Sequence, residues 1–240
     1  MDYMKLPDDV MEICDVYLQV LKHILGAKLH GAYLYGATTF PETEHTGDLD
    51  FHVIVSERLT DDEKSAICRM HDEMEVAYPK YGELDSYYLH LDDLADTAPQ
   101  HQVVDRVRDE SWALHRAHML AGRVHVLYGP QPSYVFQKPL WDELDSALCH
   151  ELDYVDNHLD EYPHYCVMNL CRILHSYETR DVVKSKAGSG MWALEKFPEW
   201  AYLIDAARRG YAGTASDDDW QMMRAEIGGF RDFMVERMSE

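Results

Sequence analysis

Apolar residues at positions 10, 13, 17, 21 and 24 (Val, Ile, Tyr, Leu, Ile) recur at helical spacing and predict a first helix over residues 6–26. Pro7 and Asp8 open it and Gly26 closes it, the residue types that start and stop helices. Two short β-type runs follow, "LHGAYLYG" at 29–36 and "DFHVIVS" at 50–56, bounded by Gly, Thr and Pro. "LTDDEKSAICRMHDEMEVAY" returns to helical period, with Thr60 or Asp61 as its cap, and "LDSYYLHL" at 84–91 reads as a third, Tyr-rich strand. Residues 106–130 read as a helix and then a short extended run ending at Gly129-Pro130. From residue 139 on, every long segment is helical in period: 139–159, 163–179, 187–196, 199–210 and 217–238. The shift of composition at 130–138 marks a domain boundary. The pattern predicts an α+β domain over 1–130 and a helical domain over 139–240.

Composition narrows the partners. The 240 residues are 46% apolar and 28% charged, which fits an ordinary globular protein. With 22 basic against 44 acidic residues the net charge is −22, and protonating all 14 His still leaves −8. Nucleic-acid binding needs a basic footprint, so nucleic acid is excluded as the expected partner, whereas a cationic small molecule is drawn to such a surface. Five scattered Cys without a CxxC pair predict reduced thiols. The first ten residues lack the build of a signal peptide, and no apolar run approaches the about 20 residues of a membrane span. A cytoplasmic protein with no membrane partner is expected.

The chemistry concentrates at "GATTFPETEHTGDLD", residues 36–50. In a strand, residues i and i+2 share a face, so Asp48 and Asp50 project together while Leu49 points the other way. Two adjacent carboxylates repel unless a cation or solvent answers them, and Mg²⁺ prefers one or two carboxylates together with phosphate oxygens. Glu83 and Asp85, at the start of the next strand, offer a third acid. The turn at Gly36-Ala37 offers backbone N–H groups to a phosphate. Solvated strand-edge acids are the plain alternative for Asp48 and Asp50 taken by themselves.

A Gly-turn, then twelve residues on an Asp-x-Asp at a strand start, then an acid on a later strand: this series resembles the nucleotidyltransferase superfamily. "LCRILHSYETRDVVKSKAGSGMWALEKFP" at 170–198 and "VHVLYGP" at 124–130 extend the resemblance to the aminoglycoside 3″/9-adenylyltransferases, which modify streptomycin and spectinomycin, over residues 30–238. The resemblance implies a nucleotidyltransferase-fold N-terminal domain, a mixed β-sheet with helices, and a C-terminal α-helical bundle. It implies AMP transfer from ATP, with Mg²⁺, to a hydroxyl of an aminoglycoside- or aminocyclitol-like acceptor. Asp48 and Asp50 match the metal-binding acids, and Asp85 matches the third acid, a Glu in the family, which serves as metal ligand and general base. Lys186 matches a phosphate-contacting Lys. Gly36, Ala37, Thr46 and Gly47 fall in the nucleotide-binding segment, with Ala37 and Gly47 where the family has Ser. Asp160 and Glu161 stand near the acceptor-gripping acids, and Phe233 replaces a nucleotide-contacting Tyr. Another small-molecule or protein acceptor, or a nucleotide-binding protein with weakened catalysis, are the alternatives.

Several other features read as structural. His115 and His118, spaced i, i+3, lack a matching acid or third His and are expected to be surface or partner-packed. Cys166 and Cys171 are expected to be buried thiols, and Arg172 to pair with an acid of its own half. "SDDDW" at 216–220 reads as a helix N-terminus whose acids suit the dipole.

Overall fold

The computed structural model describes residues 6–41, 48–81 and 84–239. It divides into two compact units, Met1–Leu144 and Asp145–Glu240. In the first, helix α1 (Asp8–Leu25) leads into strand β1 (Leu29–Tyr35). β2 (Asp50–Val55), helix α2 (Asp61–Ala77) and β3 (Ser86–His90) follow, then α3 (Trp112–Leu120), β4 (His125–Tyr128) and a short α4 (Pro132–Val135). The four strands form one mixed sheet in the order β3-β2-β1-β4, with β2 and β3 parallel and β1 antiparallel to both its neighbours.

Both faces of this sheet are covered. On one face α1 lays Val10, Ile13, Tyr17 and Leu21, and α2 lays Ile67, Met70 and Met74, over Ala32, Leu34, Phe51, Val53 and Val55. Ile24 is only half-buried, and Leu25 takes the buried position at the end of α1. The Tyr-rich strand has a reason on this face: the buried Tyr88 hydroxyl sits 2.9 Å from the Tyr17 hydroxyl and 2.9 Å from His71 Nε2, so its polar tip is satisfied inside the core. The other face carries Tyr33, Tyr35, Ile54 and Leu89, packed with Trp112, Met119 and Phe136. Residues 130–138, which read as a boundary, contain α4 and place Phe136 in this second core, edge-on to Tyr33 and Trp112. A doubly covered sheet explains why β1 reads as a continuous apolar run and not as an alternating one.

Between β3 and α3 the chain has one 3₁₀ turn, Leu91–Asp93, and is otherwise irregular. It folds back on itself through the Gln100–Arg108 and Leu89–His101 bridges, and the Asp109 amide donates to the Pro99 carbonyl. That closure delivers Asp109 to the second face of the sheet just ahead of α3.

Helix α5 (Trp141–His158) runs through the boundary between the units. The second unit continues with α6 (Pro163–Thr179), α7 (Lys186–Lys196), α8 (Ala201–Tyr211) and α9 (Asp217–Met238). α6 is buried on nearly every side, including Cys166 and Cys171, and packs against α7, α8 and α9. Such an all-round buried helix is the axis of a bundle. Arg172 finds the expected acid in its own unit: Glu151 accepts from it at 2.7 Å and from Asn169 at 3.0 Å. None of the described helices is long and apolar enough to cross a membrane.

The segment at 216–220 does begin a helix. The Ser216 hydroxyl accepts from the Asp219 amide, and the Asp219 carboxylate answers the Ser216 amide, a reciprocal cap. Ser216→Ala is expected to destabilise the second unit by about 1 kcal/mol. Urea denaturation checks this: the midpoint should fall at unchanged slope, and an unmoved midpoint would remove the cap from the account.

Candidate functional site

β1 ends at Tyr35, and Gly36 follows at φ +76°. A Cβ built on Gly36 would stand 1.8 Å from Asp50 Oδ2. Only glycine lets that carboxylate lie against the backbone here, and only glycine adopts this φ without strain. A tight turn, Ala37–Thr39, comes next, closed by the Thr39 amide and hydroxyl donating to the Gly36 carbonyl at 3.1 and 2.8 Å. Ala37 is exposed on it. Thr46, Gly47 and Glu83 lie outside the described residues. Asp48 is exposed, Leu49 is buried in the first core, and Asp50 opens β2 opposite Tyr35. The pair therefore stands at the strand start as its spacing predicts, with the strand itself beginning at the second Asp.

The third acid arrives by strand register. Phe51 of β2 pairs with Ser86 of β3, and the Phe51 amide donates to the Asp85 carbonyl at 2.7 Å. Asp50 and Asp85 each stand one residue before that pair, so the parallel strands bring the two acids side by side. Alternation gives them the face of His52 and Tyr87, opposite to Phe51 and the first core. Electrostatics agree: burial, and after it the charges of Asp50, Asp109 and Asp85, push the Tyr35 phenol well above its ordinary range. Hard carboxylate oxygens gathered in this way suit Mg²⁺, and the space where a Gly36 Cβ would stand is filled by one of them.

Below these acids on the same face lies a cluster that sequence reading missed. Asp109 Oδ2 accepts from His52 Nε2 at 2.9 Å and from His115 Nδ1 at 3.0 Å. Asp109 and His52 are wholly buried, and His115 is one-fifth exposed. Burial pushes His52 down to about 4, so its ring is neutral at pH 7. Burial works to raise the Asp109 carboxyl, yet its two imidazole partners outweigh that and hold it below the usual carboxylate range. His115 is thus supplied with the acid and the second His that its own helix lacks. His118, also buried, turns its ring edge-on to Phe40 at 5.6 Å instead. The signal was available in one respect: a His in the middle of the apolar run "FHVIV" has to find a buried partner.

The remaining expected site residues belong to the second unit. Lys186, one residue ahead of the helical segment expected over 187–196, is the first residue of α7, behind the Ser185 cap, with its ammonium 4.1 Å from the centre of the Tyr165 ring. Asp160 and Glu161 are exposed on the turn between α5 and α6. They border a groove of about 380 Å³ with Asp156 and Arg224. Phe233 lies on α9 beneath the Arg237 guanidinium, 3.5 Å from its ring centre.

Comparison with known proteins adds the following. Residues 137–237 match the model of the aminoglycoside adenylyltransferase C-terminal domain. No curated protein matches the sequence. Among solved structures, the spectinomycin adenyltransferase AAD(9) from Enterococcus faecialis, crystallised with ATP and spectinomycin, superposes with a TM-score of 0.76. It is 15% identical, over 96% of this chain and 99% of that one. A tri-AMPylated Shewanella oneidensis HEPN toxin with its MNT antitoxin is also similar, at 14% identity over 62% of this chain and 88% of that one, with a TM-score of 0.29. At 15% identity the first similarity establishes a shared fold, and it does so across the whole length.

Proposed function

We propose, from the match of residues 137–237 to the aminoglycoside adenylyltransferase C-terminal domain, that the protein transfers AMP from ATP to a hydroxyl of an aminoglycoside- or aminocyclitol-like acceptor. The observation that carries the proposal is the seating of Asp50 in the space left by Gly36, with Asp85 beside it on the parallel strand. Folding has no use for three carboxylates at one end of a sheet, whereas phosphoryl transfer does. The net charge of −22 favours the approach of a polycationic acceptor.

In this reading Asp48, Asp50 and Asp85 hold Mg²⁺, which when bound polarises the α-phosphate and steadies the departing pyrophosphate. The Gly36-Ala37 turn cradles the phosphates, and Thr46 and Gly47 belong to the same nucleotide-binding segment. Lys186 adds a positive charge to the nucleotide end. Asp85 accepts the proton of the acceptor hydroxyl as its oxygen attacks the α-phosphorus and the bond to the β-phosphate breaks. Asp85 is exposed, as an acid that meets an incoming substrate must be. Asp160 and Glu161, on their exposed turn, attract the acceptor's amino groups.

The test is pyrophosphate release with ATP and Mg²⁺ across aminoglycosides and spectinomycin-type aminocyclitols. Turnover with one of them is expected. ATP binding without turnover on the whole panel would sink the acceptor assignment and favour the second reading, a nucleotide-binding protein with weakened catalysis. Ala37 motivates that reading, since it brings a methyl group where the family carries a hydroxyl. Restoring it by Ala37→Ser is expected to lower the KM for ATP by about 3- to 10-fold, the net worth of one ordinary hydrogen bond. Steady-state kinetics at fixed acceptor checks this, and an unchanged KM would show that the turn does not meet the phosphates.

A further inference from the structure

The reaction outlined above leaves the buried triad of His52, Asp109 and His115 without a task. Its three ligand-capable atoms lie within 4.8 Å of one another, close enough to suggest a metal. The remaining nitrogen of His52 decides otherwise. Metal-bound imidazole passes its other N–H to an acceptor, but His52 Nδ1 is buried and has no partner among the described residues. A metal on Nε2 would force a proton onto Nδ1, where nothing receives it. With the proton on Nε2, that nitrogen donates to Asp109, and Nδ1 is left as a bare lone pair. His115 likewise presents Nδ1–H to the same oxygen. Protons join the triad, and both tautomers are dictated by one carboxylate.

Those two rings have a common neighbour. Tyr35 packs 4.6 Å from the His52 ring and 4.9 Å from the His115 ring, centre to centre. Tyr35 is the register partner of Asp50 and the residue before Gly36. We propose that Asp109 is a positioning residue: by fixing the two imidazoles it clamps Tyr35, and through Tyr35 it sets the end of β1 against the Asp50 carboxylate. Three separate segments are tied to the strand start in this way: β2 through His52, the loop ahead of α3 through Asp109, and α3 through His115. The catalytic consequence rests on the proposed function, whereas the clamp itself does not.

Asp109→Asn tests it. The amide oxygen could receive both N–H groups as Oδ2 does, but its NH₂ would then take the place of Asp109 Oδ1, which is buried with no partner among the described residues; to find an acceptor the NH₂ must turn to a ring, and that ring must offer a bare nitrogen. Long-range ¹H–¹⁵N spectra of the full chain should show wild-type His52 as the Nε2–H form and His115 with a protonated Nδ1. In Asp109→Asn one of the two should switch, the Tyr35 ring resonances should move, and kcat should fall about 10-fold or more, as when an outer partner of a metal site is lost. A wild-type His115 with bare Nδ1, or one zinc per chain surviving dialysis, overturns the inference. So does a tautomer switch that leaves both the Tyr35 resonances and kcat unmoved. If Asp109→Asn fails to fold, His115→Phe keeps a ring against Tyr35 and removes one N–H. It should move the Tyr35 resonances and lower kcat, and unchanged values of both overturn the inference. Should wild type bind no ATP, the function falls, and the clamp is still judged on the tautomers and on Tyr35.

Discussion

Asp50→Asn is expected to lower magnesium-dependent pyrophosphate release by on the order of 10³-fold, about 4 kcal/mol of transition-state stabilisation, while the chain keeps its fold. Asn presents one neutral oxygen where the carboxylate presents two charged ones, and its NH₂ repels a cation. The backbone has little reason to respond. Asp50 is half-buried at the first position of β2, and removing its charge relieves repulsion from Asp48 and Asp85. Urea denaturation should therefore give a midpoint equal to or slightly above that of wild type. Activity within 10-fold of wild type would dismiss Asp50 as a metal ligand and return it to the solvated strand-edge acids.

How such residues could be recognised in the sequence differs from case to case. Asp48 and Asp50 were legible because the strand period of two acts locally: the face of residue 50 follows from that of residue 48. The five long helical segments of the second half were legible for the same kind of reason, since a 3.6-residue period recurs many times within each. Asp85 required strand pairing as well, and only the β2–β3 register places it beside Asp50. Of the triad, only the need of His52 for a buried partner was legible. His52, Asp109 and His115 come from a strand, an irregular loop and a helix, and the loop from 91 to 111 has no period to read. α4 was missed because four residues are too few to show one.

Gly36→Ala should be the second large loss, and it should differ from the first in kind. The added methyl would fall 1.8 Å from Asp50 Oδ2 and 2.6 Å from its Cγ. The carboxylate has to leave its seat, and magnesium-dependent activity is expected to drop about 10²-fold or more, in line with the loss of one well-placed electrostatic contact. The backbone pays separately, since a side chain at φ +76° costs about 1–2 kcal/mol. Gly36→Ala should thus lower both activity and the urea midpoint, whereas Asp50→Asn lowers activity only. A double-mutant cycle separates the two effects. In an Asp50→Ala background, Gly36→Ala should still cost stability but should cost almost no further activity. If it costs as much activity there as in wild type, the turn acts on the nucleotide by a route that does not pass through Asp50.

The doubly covered sheet has a consequence for the unfolded chain. "AYLY" in β1 and "FHVIV" in β2 are rich in strand-forming residues, free of Pro and nearly without charge, the type of segment that self-associates once exposed. In the folded protein both are buried from two sides. Once heating opens the first unit they are exposed together, so thermal unfolding should end in aggregates. The run in β2 has charged sentries at its ends, Asp48 and Asp50 before it and Glu57 and Arg58 after it. The acids proposed to hold magnesium in the native state thereby act as gatekeepers in the unfolded one, and Asp50→Asn should aggregate sooner on heating even though its native state is no weaker.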